Sequence, residues 1–144
     1  MKSLSFPTRT RSALATCLLS LACALAPSTA TAGKYKASAI IIATLPQYCY
    51  AQYIDGLEHD PRFQIRDCGA YSNHFCPGLV GIEQARKSKD PDEKKELLRM
   101  ARENVNYWAN HSRVDDYPKC ILRQEGEVKT RLIDQMINSI RRQR

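Results

Sequence analysis

Four cysteines limit what this sequence can fold into more than any other feature. They are Cys49, Cys68, Cys76 and Cys120, and all of them follow a segment with the pattern of a secretory leader. An even number of cysteines in a small exported domain is typical of a disulfide framework, because the compartment is oxidising and a small core gains from covalent closure. The sequence therefore predicts two disulfides, and four cysteines allow three ways of pairing them.

The segment before these cysteines, residues 1–32, is predicted to be a signal peptide. It begins with basic residues, continues with an almost entirely apolar run over residues 13–26, and ends on small residues from Ala30 to Ala32. The apolar run is shorter than the roughly 20 residues that span a bilayer. We therefore expect an exported protein without a membrane span, in the periplasm of a Gram-negative bacterium. Secretion from the cell, or lipid attachment through Cys23, is the alternative, but Ser20 stands where the lipidation motif needs a large aliphatic residue.

The charge of the chain gives little reason to expect a nucleic-acid partner. The leader carries three of the 22 basic residues and no acidic one, so its removal lowers the net charge from +7 to +4. Part of this excess lies in the basic tail at residues 141–144, where cations favour the negative end of a helix dipole. We interpret the tail as a solvated helix end, since an exported chain rarely meets nucleic acid.

The clearest local signal is the start of a helix at Asp90. Asp90 provides a capping side chain, Pro91 fits the first helical position, and Glu93 follows three residues after the cap. Apolar residues then recur at helical spacing until about His111. This stripe consists of Leu97, Leu98, Ala101, Val105 and Trp108.

Three further helices follow from weaker signals. One is predicted from Pro46 to about Leu57, and a second from Pro77 to about Lys87 with Cys76 as its cap. The last begins at about Lys119 and carries one broad apolar stripe: Ile121, Leu122, Val128, Leu132, Met136 and Ile140. The region from Glu58 to Tyr71 is predicted to be a loop, and the apolar run Ile40 to Ile42 is predicted to pack over the helices. The chain thus divides into residues 1–32, the signal peptide; 33–44, an apolar N-terminal segment; and 45–144, a helical domain.

Helices joined by short turns bury their stripes on one another, so the predicted fold is all-α. We expect a small antiparallel array of about four helices, stapled by two disulfides. Ile82, Ala85 and Ala101 loosely follow the spacing of a tetratricopeptide helix hairpin.

Several short motifs strengthen that comparison. The segment Leu-Pro-Gln-Tyr-Cys at residues 45–49 precedes His-Phe-Cys-Pro-Gly-Leu at residues 74–79, a helix pair, and Gln-Glu-Gly-Glu at residues 124–127. In this order they resemble a family of exported bacterial tetratricopeptide-like proteins, although Phe75 and Pro77 depart from its second motif. The resemblance implies an interaction module with no known chemistry. It also suggests that Cys49 pairs with Cys76, because the family has cysteines at these two places, which leaves Cys68 for Cys120.

Aromatic residues near the cysteines form the candidate binding surface. Its members are Tyr48, Tyr50, Tyr53, Tyr71 and His74. Tyrosines beside disulfides usually pack and send their hydroxyl groups to water, so packing is the favoured interpretation and a sugar or peptide groove is the alternative. We interpret His74 as structural, with its imidazole bonded to a loop carbonyl or to a helix-end amide.

The sequence predicts no catalytic residue, metal or cofactor. His74 and Cys76 are two residues apart, a spacing that does not place two ligands on one face of a helix. Glu83, Glu103 and Glu125 would be the acids or bases of a small cell-wall-directed hydrolase, but the sequence does not pair them. We therefore expect a non-enzymatic module that binds another protein. A hydrolase, or a secreted inhibitor or structural accessory protein, is the alternative.

Overall fold

The structure, a computed structural model, describes residues 35–143, so the predicted signal peptide lies outside the described residues. Within this range the regular elements are helices and there is no strand, which confirms the predicted all-α class. The α-helices are α1 (Ala39–Ile42), α2 (Phe75–Lys87), α3 (Pro91–His111) and α4 (Leu122–Arg142). Short 3-10 helices occupy Gln47–Gln52, Pro61–Phe63, Ser72–His74 and Val114–Asp116.

Helices α2 and α3 form an antiparallel hairpin whose turn has the predicted capping arrangement. The Asp90 carboxylate accepts hydrogen bonds from the amides of Asp92, at 2.8 Å, and Glu93, at 3.4 Å. Pro91 is the first residue of α3, and the helix ends at His111 as expected. Because the stop and start signals are local in sequence, this is the part of the fold that the sequence predicts best.

The two hairpin helices approach each other closely because α2 carries a glycine where they cross. A Cβ atom on Gly78 would lie 2.7 Å from the Val105 side chain and 3.0 Å from the Ala101 carbonyl oxygen. Leu98, Ala101, Val105 and Trp108 of α3 are buried in the resulting core.

Helix α4 packs on α3 through much of the predicted stripe, because Leu122 and Ile140 are buried and Leu132 and Met136 pack against the core. Its buried residues are Leu122, Gly126, Ile133 and Ile140. Ile121 and Val128, which we placed in the buried stripe, are 46% and 45% exposed. Gly126 and Ile133, which the predicted stripe did not include, are buried in their place, and a Cβ atom on Gly126 would lie 3.9 Å from the Val105 carbonyl oxygen.

Three predicted helix bounds were wrong. The helix expected from Pro46 to Leu57 is the six-residue 3-10 helix Gln47–Gln52. Helix α2 begins at Phe75 and therefore contains Pro77 in its first turn, where the missing N–H of proline costs nothing. The last helix begins at Leu122 and not at Lys119.

Two disulfides join these elements. Cys49 pairs with Cys76, with Cα atoms 5.6 Å apart, and Cys68 pairs with Cys120, with Cα atoms 4.7 Å apart. These are the pairs that the family resemblance suggested. The first bond ties the 3-10 helix Gln47–Gln52 to α2, and the second ties the loop before α2 to the chain before α4. Disulfide bonds of this kind are typical of an oxidising, exported compartment.

The apolar N-terminal segment packs on the helical core. Ser38 caps α1, its Oγ accepting a hydrogen bond from the Ile41 amide. Ile41 and Ile42 are buried, whereas Ile40 is 71% exposed on the opposite side of the short helix. The segment is therefore part of the folded domain and not a free tether.

The contrast between the buried Ile42 and the exposed Ile40 gives a direct test of this packing. We expect Ile42→Ala to lower the free energy of unfolding by about 2 kcal/mol, because it removes buried methyl groups and leaves a cavity. The matched control Ile40→Ala should change it by less than about 0.5 kcal/mol, as for other exposed positions. Urea denaturation followed by circular dichroism measures both. Equal effects of the two variants would contradict the packing of α1 on the core.

Candidate functional site

A cluster of four rings lies beside the C-terminal end of α3. The His74 ring stacks on Tyr107 with ring centroids 3.8 Å apart and an interplanar angle of 21°. The other stacked pair is Tyr107 and His111, with centroids 3.9 Å apart and an angle of 16°. Tyr71 leans on this stack, 5.9 Å from Tyr107 and 5.8 Å from His111 between centroids. We call Tyr71, His74, Tyr107 and His111 the ring cluster.

Two elements build the ring cluster. Tyr107 and His111 are four residues apart on α3 and therefore share one face of the helix. The 3-10 helix Ser72–His74, which leads directly into α2, brings Tyr71 and His74 onto that face. The α2–α3 hairpin thus assembles the cluster from positions that are distant in sequence.

Hydrogen bonds fix the orientation of both imidazoles. The Asn104 amide group donates to the Met100 carbonyl, so its oxygen faces His74 Nδ1 at 3.2 Å and accepts a proton from it. His111 Nδ1 lies 2.8 Å from the Tyr107 carbonyl oxygen and donates to it. In the neutral imidazoles, each Nε2 atom is consequently an acceptor. Our sequence-based choice of partner for His74, a loop carbonyl or a helix-end amide, was wrong, because the partner is a side chain 30 residues away.

The backbone that carries Tyr71 is strained. Tyr71 has a φ of 68°, and Asp67 on the same loop has a φ of 58°, in the left-handed region that side chains other than glycine rarely adopt. Each such residue costs about 1 kcal/mol or more. The Tyr71 side chain is nevertheless 47% exposed. The strained backbone therefore belongs to a residue whose ring lies at the surface.

The loop before Tyr71 is fixed by contacts with the core. Its Cys68 is bonded to Cys120, and the buried Trp108 indole N–H donates to the Cys68 carbonyl oxygen. Tyr117 covers Gly69 so closely that a Cβ atom there would lie 2.3 Å from the tyrosine ring. Gly69 also has a φ of 64°, so glycine is required there for two reasons. These contacts fix the loop that leads into the ring cluster.

The other tyrosines of the predicted binding surface lie elsewhere and take part in packing. The Tyr48 hydroxyl donates to Glu125 Oε2 at 2.8 Å, which ties the N-terminal part of the domain to α4. Tyr50 stacks on Phe63 with centroids 5.9 Å apart, and Tyr53 is buried. Of the five predicted residues, the structure places Tyr71 and His74 together, both against Tyr107.

Sequence reasoning did not single out Tyr107, His111 or Asn104 as site residues. The available signal was the four-residue spacing of Tyr107 and His111 on a helix whose bounds were predicted correctly. That spacing predicts two neighbouring rings, but the arrival of Tyr71 and His74 depends on how the hairpin closes.

Two tyrosines outside the ring cluster lower the free energy of unfolding when the pH becomes alkaline. Burial raises the pKa of Tyr48 and of Tyr53 above the ordinary tyrosine value, and for Tyr48 the bond to Glu125 raises it further. Above about pH 10 the unfolded chain loses phenolic protons that the folded chain keeps, so the free energy of unfolding falls as pH rises. We expect Tyr53→Phe to reduce the slope of this fall in urea titrations at a series of pH values. An unchanged slope would contradict the assignment.

The glutamates considered for a hydrolase each have a partner. Glu83 forms an ion pair with Arg86, Glu103 forms one with Arg99, and Glu125 accepts the Tyr48 hydroxyl. Residues 35–143 hold no group of three or more His, Cys, Asp and Glu side chains placed to bind a metal ion. No helix in this range is long and apolar enough to cross a membrane.

Comparison of the chain with protein-family models, with curated proteins and with solved structures gives no match. The structure itself defines the class: a small, disulfide-stapled, all-α domain with a fixed cluster of aromatic and imidazole rings at its surface.

Proposed function

We propose that this protein is an exported, non-enzymatic module that binds another protein through the ring cluster. The observation that carries the proposal is Tyr71, whose strained backbone holds a half-exposed ring against Tyr107 and His111. Backbone strain of this kind concentrates at functional positions, where the surrounding structure maintains it. A tyrosine that only filled space would not require it.

The chemistry of the ring cluster suits a protein interface. Tyrosine is enriched among the residues that dominate binding energies, because it offers a large contact area with few rotatable bonds. The disulfide Cys68–Cys120 and the Trp108 hydrogen bond hold the loop, so that little conformational entropy remains to be lost on binding. A pre-organised aromatic surface on a small helical domain supports a role in protein recognition.

The compartment and the family resemblance support the same proposal. The two disulfides, together with the predicted signal peptide, favour the periplasm of a Gram-negative bacterium. The α2–α3 hairpin with α4 packed on α3 is consistent with a tetratricopeptide-like unit, and stacked helix hairpins commonly serve as binding scaffolds.

Affinity capture from a periplasmic extract tests the proposal. The baits are the wild-type protein, Tyr71→Ala, and the control Val128→Ala, which changes a similarly exposed apolar residue on α4, 45% exposed against 47% for Tyr71. We expect the wild type and the control to retain one partner at a fixed stoichiometry. Tyr71→Ala should weaken its capture about tenfold or more, as for a central interface residue. Melting temperatures of all three baits verify that they are folded.

Two results would contradict the proposal. One is equal capture of the partner by Tyr71→Ala and by the wild type. The other is release of soluble fragments from peptidoglycan that stops when Glu83, Glu103 or Glu125 is changed to glutamine, because this would establish a hydrolase. Inhibition of a captured enzyme at equal stoichiometry would instead define the binding role as that of an inhibitor.

A further inference from the structure

We propose that the ring cluster recognises the guanidinium group of an arginine on the partner protein. This inference rests on the proposed function and specifies the chemistry of the same site. It follows from the electrostatic character of the cluster, which offers acceptors and ring faces.

Three features of the ring cluster attract positive charge. The face of the half-exposed Tyr71 ring carries negative quadrupole potential, which binds a cation placed above it, whereas the faces of Tyr107 are covered by the stacked His74 and His111 rings. His74 and His111 donate through Nδ1 to Asn104 and to the Tyr107 carbonyl, so each neutral ring keeps an accepting Nε2 atom. His111 is also the last residue of α3, where the helix dipole is negative.

The arrangement of the rings favours arginine over lysine. The Tyr71 and His111 rings are inclined at 49°, with centroids 5.8 Å apart, so a planar group that stacks on one of them cannot also lie parallel to the other. Guanidinium combines a flat face that stacks on aromatic rings with five N–H donors in its plane. Ammonium has no such face and would gain only the charge attraction.

One arginine of the protein already lies over an aromatic ring, but that ring lies outside the ring cluster. The Arg62 guanidinium lies over the Phe63 ring, 5.3 Å from its centroid. Among the described residues this is the cation that lies over an aromatic ring, and none occupies the faces of the ring cluster in this way. An arginine supplied by another chain would therefore meet no competing arginine or lysine on the Tyr71 ring, which is the tyrosine of the cluster that is not covered by stacked imidazoles.

Nuclear magnetic resonance titration of the isotope-labelled protein tests the inference without knowledge of the partner. The probe is Nα-acetyl-arginine methylamide, and the matched control is the citrulline compound, which has nearly the same shape without the charge. In mildly alkaline buffer, we expect the arginine probe to shift the ring signals of Tyr71 and His111. Half-saturation should fall near ~10 mM, as expected for one cation–ring contact with a hydrogen bond. The citrulline compound should bind at least about tenfold more weakly, since it lacks the charge that the rings attract.

Three variants separate the parts of the proposed site. Tyr71→Ala removes a ring face and should abolish the shift at His111, whereas Tyr71→Phe keeps the face and should preserve it. His111→Phe keeps the stacked ring but removes the Nε2 acceptor, so we expect the affinity for the arginine probe to fall severalfold.

Three outcomes would overturn the inference. Equal shifts from the arginine and citrulline compounds would show that the site does not recognise the positive charge. Binding of Nα-acetyl-lysine methylamide with the same affinity as the arginine probe would show that the site does not recognise the planar guanidinium group. No shift up to about 100 mM of the arginine probe would exclude a guanidinium site of the expected strength. In each case, capture of a partner that still depends on Tyr71 would leave the proposed function intact and overturn only the arginine assignment.

Discussion

Replacement of Cys68 and Cys120 by alanine should lower the free energy of unfolding by about 4 kcal/mol. The bond links residues 52 positions apart, and the loss of a cross-link across such a span restores a large amount of conformational entropy to the unfolded chain. Both cysteines are buried, at 1% and 5% exposure, so the change also removes packed sulfur atoms. A loss of this size is a large part of the stability of a small domain.

The measurement is urea unfolding of the double variant and the wild type, followed by circular dichroism. The matched comparison is alanine at Cys49 and Cys76, which removes a bond between residues 27 positions apart. The chain-entropy relation predicts a loss about 0.5 kcal/mol smaller for the shorter span. A loss below about 1 kcal/mol for the Cys68–Cys120 bond would contradict the account, because the loop beneath the ring cluster would then be held by other contacts.

Truncation of the buried tryptophan should have an equally large effect. We expect Trp108→Ala to lower the free energy of unfolding by about 4 kcal/mol, since the side chain is 2% exposed and its removal leaves a large cavity. The change also leaves the Cys68 carbonyl oxygen without its indole donor. The edge-to-face contact between the Trp108 and Tyr117 rings, whose centroids are 6.3 Å apart, would be lost as well.

Two controls separate these contributions in the same unfolding assay. Trp108→Phe keeps an aromatic ring but removes the N–H group, so it should cost clearly less than Trp108→Ala. Met100→Ala changes a residue of α3 that is 41% exposed and should cost less than about 0.5 kcal/mol. If Trp108→Ala and Met100→Ala were equally mild, the placement of Trp108 in the core would be wrong.

The parts of the fold that the sequence predicted well depend on local chemistry. Helix α3 begins after Asp90 because that side chain caps two amides, and Pro91 suits the first position. Both signals lie within four residues and need no tertiary contact. The all-α class followed similarly from helical spacing of apolar residues along α3.

The parts that were missed depend on contacts between distant residues. The segment after Pro46 stops as a 3-10 helix at Gln52, although its local sequence is compatible with a longer helix. Cys49 is held against α2 by its disulfide, and Gly56 follows with a φ of 82°. On α4, Gly126 and Ile133 are buried although the prediction placed Ile121 and Val128 in the stripe, and hydrophobicity alone does not indicate a buried glycine.

The ring cluster illustrates the same limit at the candidate site. The sequence identified Tyr71 and His74, but their partners on α3 come more than 30 residues later and are brought near by the hairpin. The left-handed backbone of Tyr71 is also not encoded by its own side chain, because tyrosine has no preference for that region. It follows from the disulfide, the Trp108 hydrogen bond and the Tyr117 contact that fix the preceding loop.

Photo-crosslinking from position 71 tests the central claim most directly. The crosslinker p-benzoylphenylalanine replaces Tyr71 in one protein and Val128 in another, because these positions are similarly exposed on different surfaces. Irradiation of cells that export each protein, followed by mass determination, shows which surface contacts a partner. The account predicts one discrete crosslinked product from position 71 and none from position 128. A product formed equally from both positions, or from position 128 alone, would contradict the claim that the ring cluster is the binding surface.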